Sequence, residues 1–230
     1  EGATETPLDA LAHQRVLGAV RRRQRRRPIR HARVEGEGNP LVHLPELDVD
    51  DFVADVHADK TRQYTELLES GAIALRPGVE RLLREARAAG LALAVASTTT
   101  PANVVTLMRA NLGPDGEAFF DVVSAGDMVD NKKPAPDVYL HALEGLDLPP
   151  EACLVFEDAG LGLVSARKAG LDAIITVNGY TKDEDFSGAL LVLDHLGEPD
   201  RPFTVLEGDP GGARWVDVDL LRGLHAARHG

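Results

Sequence analysis

From residue 77 onward the chain alternates short apolar runs with longer stretches whose apolar positions recur every three to four residues, and glycine, proline or hydroxyl residues mark most of the switches. Pro77-Gly78 opens a helical pattern that reaches Gly90. Leu91-Ala92-Leu93-Ala94-Val95-Ala96 is then a continuous apolar strand ending in Ser97-Thr98-Thr99-Thr100, with Pro101 starting the next helix and Thr100 as its N-cap. The same order predicts a strand over 119–123, a helix over 136–146, a strand over 153–156, a helix over 160–169 stopped by Gly170, and a strand over 173–177. Strands that are apolar on both faces belong in a sheet covered on both sides, and strands that alternate with helices are joined in parallel. The expected fold class is therefore α/β, a Rossmann-like parallel sheet core with helices on both faces.

Before residue 72 no strand is legible. Leu8, Leu11, Ala12 and Val16 keep a helical spacing behind Thr6-Pro7, and Phe52, Val53, Val56, Tyr64, Leu67 and Leu68 do so again before Gly71. Residues 8–71 read as a small helical unit and 72–230 as the α/β core.

Composition changes this picture in one place. The chain is 43% hydrophobic, enough for a core, and its formal charge of −12 argues against a general binder of nucleic acid or membrane surfaces. Against that average stand Arg21, Arg22, Arg23, Arg25, Arg26 and Arg27, with Arg30 and Arg33 beyond Pro28, so that residues 17–39 look atypical. Such a run is most often a solvated, self-repelling segment, and an RNA-binding patch is the alternative. No aromatic residue precedes Phe52, so base stacking has nothing to work with there. The single cysteine, Cys153, leaves no internal disulfide and no cysteine-based zinc site, which points to a reducing compartment. With no apolar stretch of membrane-spanning length and no signal-peptide pattern at Glu1, the expectation is a cytoplasmic monomer, or a plastid one if the source is photosynthetic.

Candidate chemistry sits at the strand ends. Leu154-Val155-Phe156 runs into two adjacent carboxylates, Glu157 and Asp158, and in parallel sheets ligands bind beyond the carboxyl ends of the strands. Hard oxygens at such an end suit Mg²⁺, which prefers one or two carboxylates plus water and substrate phosphate; an acidic turn capping the next helix is the plainer reading. Ser97 and Lys133 lie at or just past other strand ends, Lys133 in a loop fixed by prolines. A hydroxyl, an ammonium and a metal carboxylate together handle phosphate. Taken singly, Ser97 is more often a cap and Lys133 a surface lysine. Gly160-Leu161-Gly162 lacks the third glycine of a dinucleotide loop, and His225 and His229, at helical spacing near the end of the chain, read as surface.

These strand ends, together with Lys60-Thr61-Arg62-Gln63-Tyr64, Leu75-Arg76-Pro77-Gly78-Val79, Ser97-Thr98-Thr99-Thr100-Pro101, Gly126-Asp127, Lys132-Lys133-Pro134-Ala135-Pro136-Asp137 and Phe156-Glu157-Asp158, resemble the haloacid dehalogenase superfamily of phosphatases. The likeness runs from about residue 44 to 206 and is closest to the CbbY-like branch, which includes xylulose-1,5-bisphosphate phosphatases and resembles the phosphoglucomutases. It implies Ser97 as a phosphate ligand, Lys133 as the charge-compensating lysine, Asp158 as a metal ligand with Glu157 beside it, and Mg²⁺ as cofactor. Thr98, Thr99 and Thr100 are implied to bind a small sugar phosphate, and residues 8–71 to form a helical cap over the site. Members of the family begin with an apolar strand ending in two aspartates, the first of them the nucleophile. Residues 1–7 read as the remnant of that first core motif, with Glu1-Gly2 the trace of its end, so residues 1–230 by themselves are expected to lack phosphatase turnover. Ala159 and Leu161 stand where the family usually has serine and asparagine. A phosphomutase of the same fold, or a phosphate-ligand binding protein without activity, are the competing readings.

Overall fold

The computed structural model describes residues 73–229 and, ahead of them, 55, 56, 59, 60, 62–64, 66–68 and 70. The arginine run, the remnant at 1–7 and most of the predicted helical unit lie outside the described residues. Those described between 55 and 68 are helical, with Arg62 paired to Asp59 and Glu66 one turn to either side.

The core begins with helix α1 (Val79–Ala88), strand β1 (Ala94–Ser97) and helix α2 (Pro101–Leu112). Strand β2 (Val122–Ala125), helix α3 (Asp137–Leu146), strand β3 (Leu154–Glu157), helix α4 (Gly160–Lys168) and strand β4 (Asp172–Thr176) follow. Strands β5 (Leu191–Leu193) and β6 (Val205–Gly208) and helix α5 (Val218–His229) complete it. Each predicted helix of the core is present within two residues of its expected ends. The first three predicted strands sit later than predicted, whereas β4 begins one residue earlier, at Asp172: Phe119 closes the 3-10 turn Gly116–Phe119, and β2 starts three residues on. That turn needs its glycine, because a Cβ at Gly116 would stand 2.4 Å from the Met108 carbonyl oxygen.

Alternation along the strands sorts the core into two layers. Ala173 and Ile175 face Val138 and Leu143 of α3 and Leu163 and Ala166 of α4. Ile174, Leu191 and Leu193 face Leu82 of α1, Val216, and the apolar side of α5. Ile174 and Ile175 are fully buried, and burying each contributes about 1.5–3 kcal/mol. Helices therefore cover both faces, as the doubly apolar strands require.

Among the described residues the strands form two separate sheets. β1 and β2 pair in parallel; β3, β4 and β5 pair in parallel, with β6 antiparallel at the far edge. Of the described strands, β1 pairs with β2 alone and β3 with β4 alone, so one edge of each faces the other across a cleft of about 2220 Å³. Leu75, Leu82, Ala96, Tyr139, Val155 and Phe156 are among its walls. The resemblance noted above implies a further strand here, the one ending in two aspartates, between β1 and β3; direct pairing of β1 with β3, which would have contradicted that topology, is absent here. The segment before α1 spans the two sheets. On one side the Asn111 amide of α2 accepts from Leu75 N–H and donates to the Ile73 carbonyl, both at 3.0 Å. On the other, Arg76 donates to the Thr176 carbonyl at 3.0 Å, to Thr176 Oγ1 at 3.2 Å, to the Val177 carbonyl at 2.6 Å and to the Asp194 carbonyl.

Candidate active site

The carboxyl ends of β1 and β3 and the loop before α3 meet at one end of the cleft. Ser97 is the last residue of β1, and its Oγ accepts the Thr99 N–H at 3.3 Å, which leaves its own proton available to a ligand. Thr100 is the N-cap of α2 as its sequence suggested, its Oγ1 accepting Asn103 N–H at 3.4 Å. Thr99 Oγ1 accepts the Asn103 side-chain amide at 3.0 Å, so both threonines are oriented by the same asparagine. Thr98 lies between Ser97 and Thr99, half-buried. The backbone of Thr99 is approached so closely by Gly126 that a Cβ there would fall 2.5 Å from the Thr99 carbonyl oxygen.

Lys133 reaches from its loop to both sheets. Its ammonium donates to the Ala96 carbonyl of β1 at 3.1 Å, to the Tyr139 hydroxyl oxygen at 3.1 Å and to Glu157 Oε1 of β3. The Tyr139 hydroxyl donates to that same oxygen. Helix α4 holds the loop from behind: Ser165 Oγ donates to the Ala135 carbonyl at 2.6 Å and Lys168 to the Pro134 carbonyl at 3.1 Å. Burial, with the Glu157 carboxylate next to it, pushes the Tyr139 phenol far up, so it is a permanent donor.

Glu157 and Asp158 divide their work. Glu157 is turned inward, its side chain 7% exposed, and Oε1 is taken up by Lys133 and Tyr139. Asp158 opens to the cleft. Desolvation first, then the neighbouring Glu157, pushes its carboxyl above the usual range, against the pull of Lys133 and Arg76. A carboxylate held in that state gains from a cation, and a hard oxygen with a second carboxylate beside it fits Mg²⁺ better than a softer metal. No group of three or more histidine, cysteine, aspartate or glutamate side chains able to hold a metal occurs among the described residues.

The structure thus joins Lys133, Glu157 and the end of β1 into one site, with Asp158 at its rim. Asn178, absent from the sequence reading, belongs with them: its side-chain amide donates to Asp158 Oδ2 at 3.1 Å while its Oδ1 accepts Tyr180 N–H at 2.8 Å, which fixes its orientation. The signal for it was position, since Asn178 follows the end of β4 as Asp158 follows the end of β3. His225 and His229 lie at the opposite, amino-terminal end of the strands, where they bond the Glu151 carbonyl and Asp172, the first residue of β4.

The sequence profile of haloacid dehalogenase-like hydrolases matches residues 4–170. Protein CbbY, encoded on a plasmid of Cupriavidus necator, is 47% identical over 171 residues, covering 74% of this chain and 66% of that protein. Protein CbbY of Rhodobacter capsulatus is 53% identical over 137 residues, 60% of each chain. A mutant CbbY from Rhodobacter sphaeroides in complex with xylulose-(1,5)bisphosphate superposes with a TM-score of 0.59 at 45% identity, over 70% of this chain and 68% of that one. The chain spans somewhat less than two thirds of the length of these curated relatives.

Proposed function

The chain belongs to the haloacid dehalogenase-like hydrolases, and from that premise we propose that it serves a Mg²⁺-dependent phosphatase of small sugar phosphates or bisphosphates that works through an aspartyl-phosphate intermediate. One observation carries the reading: a single ammonium, Lys133, is bonded to the end of β1 and the end of β3 together. In the proposed roles the Ser97 hydroxyl and the Thr98 N–H bind non-bridging phosphoryl oxygens, and Lys133 offsets the charge that develops on them. Asp158, steadied by Asn178, holds the cation, with Glu157 behind it. Held by Asp158, a Mg²⁺ ion would supply Lewis-acid polarisation of the phosphoryl group.

The nucleophile in this proposal is an aspartate on a strand seated between β1 and β3. Its carboxylate oxygen attacks phosphorus as the bond to the sugar oxygen breaks, and the leaving oxygen takes a proton. Water then opens the acyl phosphate, releasing inorganic phosphate and restoring the carboxylate. Thr99 and Thr100 face the rest of the sugar, and the helical residues before 71 act as a cap that limits water. A sugar bisphosphate is favoured because the Rhodobacter sphaeroides relative is seen with one.

Calorimetric titration with xylulose-1,5-bisphosphate in Mg²⁺ tests the site. Binding is expected, and Lys133→Ala and Asp158→Ala should each weaken it by about tenfold or more, the usual effect of removing a charged partner. Failure to bind would sink the phosphatase reading. Phosphate release by residues 1–230 alone, abolished by Asp158→Ala, would instead overturn the placement of the nucleophile.

A further inference from the structure

Lys133 has three N–H protons and three acceptors: the Ala96 carbonyl, the Tyr139 hydroxyl oxygen and Glu157 Oε1. An ammonium has no fourth donor. A phosphoryl oxygen can therefore be bonded by Lys133 only if one of the three is released, and the choice depends on what that release leaves behind. Glu157 Oε1 belongs to a buried carboxylate, and a buried anionic oxygen with no donor is costly. The tyrosine oxygen is different. Its own proton already goes to Glu157 Oε1, so it can give up the lysine proton and still keep a hydrogen bond.

We propose that Tyr139 is a positioning residue of this site: it keeps Glu157 Oε1 satisfied, so that Lys133 can turn one N–H from the tyrosine oxygen to a phosphoryl oxygen without leaving a buried carboxylate oxygen bare. The proposal rests on the phosphate reading of the site given above. Tyr139 is suited to staying behind. It is 4% exposed and packed among Val138, Leu143 and Ala166, and its ring centroid lies 4.7 Å from the ammonium. The ring is fixed in the core, while the lysine hangs on a flexible stem. With phenylalanine at 139, Lys133 becomes the remaining side-chain donor to Glu157 Oε1, and turning it toward a ligand strips that oxygen.

The test is a titration of the full chain with inorganic phosphate at fixed pH in Mg²⁺, comparing wild type with Tyr139→Phe. It is followed by the ¹⁵N-detected ammonium signal of Lys133 and the ¹³Cζ signal of Tyr139. In wild type the lysine signal should shift on binding, while the tyrosine signal keeps the position of a phenol bonded to a carboxylate. Tyr139→Phe should melt within a few degrees of wild type yet bind phosphate about tenfold more weakly, the effect of one buried oxygen losing its donor. Equal or tighter binding by the phenylalanine variant overturns the role of Tyr139 and leaves the phosphate site standing. So does a tyrosine signal that moves with the lysine in wild type, a comparison that needs no variant. If phosphate leaves the wild-type lysine signal unmoved, the phosphate reading falls, and the proposal with it.

Discussion

Single residues here are constrained by what sits against them more than by their type. Gly162 shows this most sharply: it lies inside α4, where alanine would ordinarily be favoured by about 1 kcal/mol, yet a Cβ there would stand 1.9 Å from Glu157 Oε2. Glu157 cannot swing aside without losing Lys133 and Tyr139. Gly162→Ala should therefore lower stability in urea unfolding by about 1–3 kcal/mol net, and should weaken phosphate binding as well. A variant as stable as wild type would show that the Glu157 cluster is looser than its bonds suggest. A second prediction concerns Glu117 on the surface, whose carboxyl the hydrogen bonds from Arg109 lower to about 2 from an ordinary 4.5. Because the folded value lies below the unfolded one, the stabilisation is full above about 4.5 and is lost as pH falls through about 2. Melting temperatures of wild type and Arg109→Gln should differ near neutrality and converge toward pH 2. A difference that persists there would mean the arginine acts through packing.

At the level of elements, helices were legible and strand positions less so. Pro101 behind Thr100, and Gly170 after the last apolar turn of α4, set helix ends through their own backbone chemistry, and these ends stand where expected. Strands are set by partners. The apolar run from Leu91 reads as one strand, but its ladder begins only at Ala94, where Val122 lies opposite. β5 is three residues long and β6 is exposed throughout, so neither carries a local pattern to detect. Of the candidate site, Ser97 and Asp158 were readable as polar residues at apolar strand ends, and Lys133 as a lysine in a loop fixed by prolines. The internal bonding of Glu157 was not, because it depends on Tyr139 one helix away. The pairing itself makes a prediction for β1 and β3. Among the described residues each has one bonded and one unbonded edge, so alternate amides in 94–97 and 154–157 should exchange with deuterium much faster than those pointing at β2 and β4. Uniform protection along both strands would mean the cleft is filled in solution.

The whole molecule depends on how two sheets with a cleft between them are kept in one fold. Asn111 holds residues 73 and 75 to the β1 side, and Arg76 holds the next residue to the ends of β4 and β5. Arg76→Met should therefore lower stability by about 3 kcal/mol, since several buried carbonyls lose a charged donor at once. Arg84→Ala, which removes an exposed pair with Glu80, should change it by no more than about 1 kcal/mol. Comparable losses in the two variants would move the joint elsewhere. Among the described residues, every hydrogen bond that Arg76 makes goes to a carbonyl or a hydroxyl, and none goes to a carboxylate. Acid cannot discharge such acceptors, and only the longer-range attraction of Asp158 and Asp194 for Arg76 is lost with it. As the surface ion pairs of α1 and α2 fail in acid, this joint should remain tied, and the first acid-induced opening should spare the ends of β4 and β5.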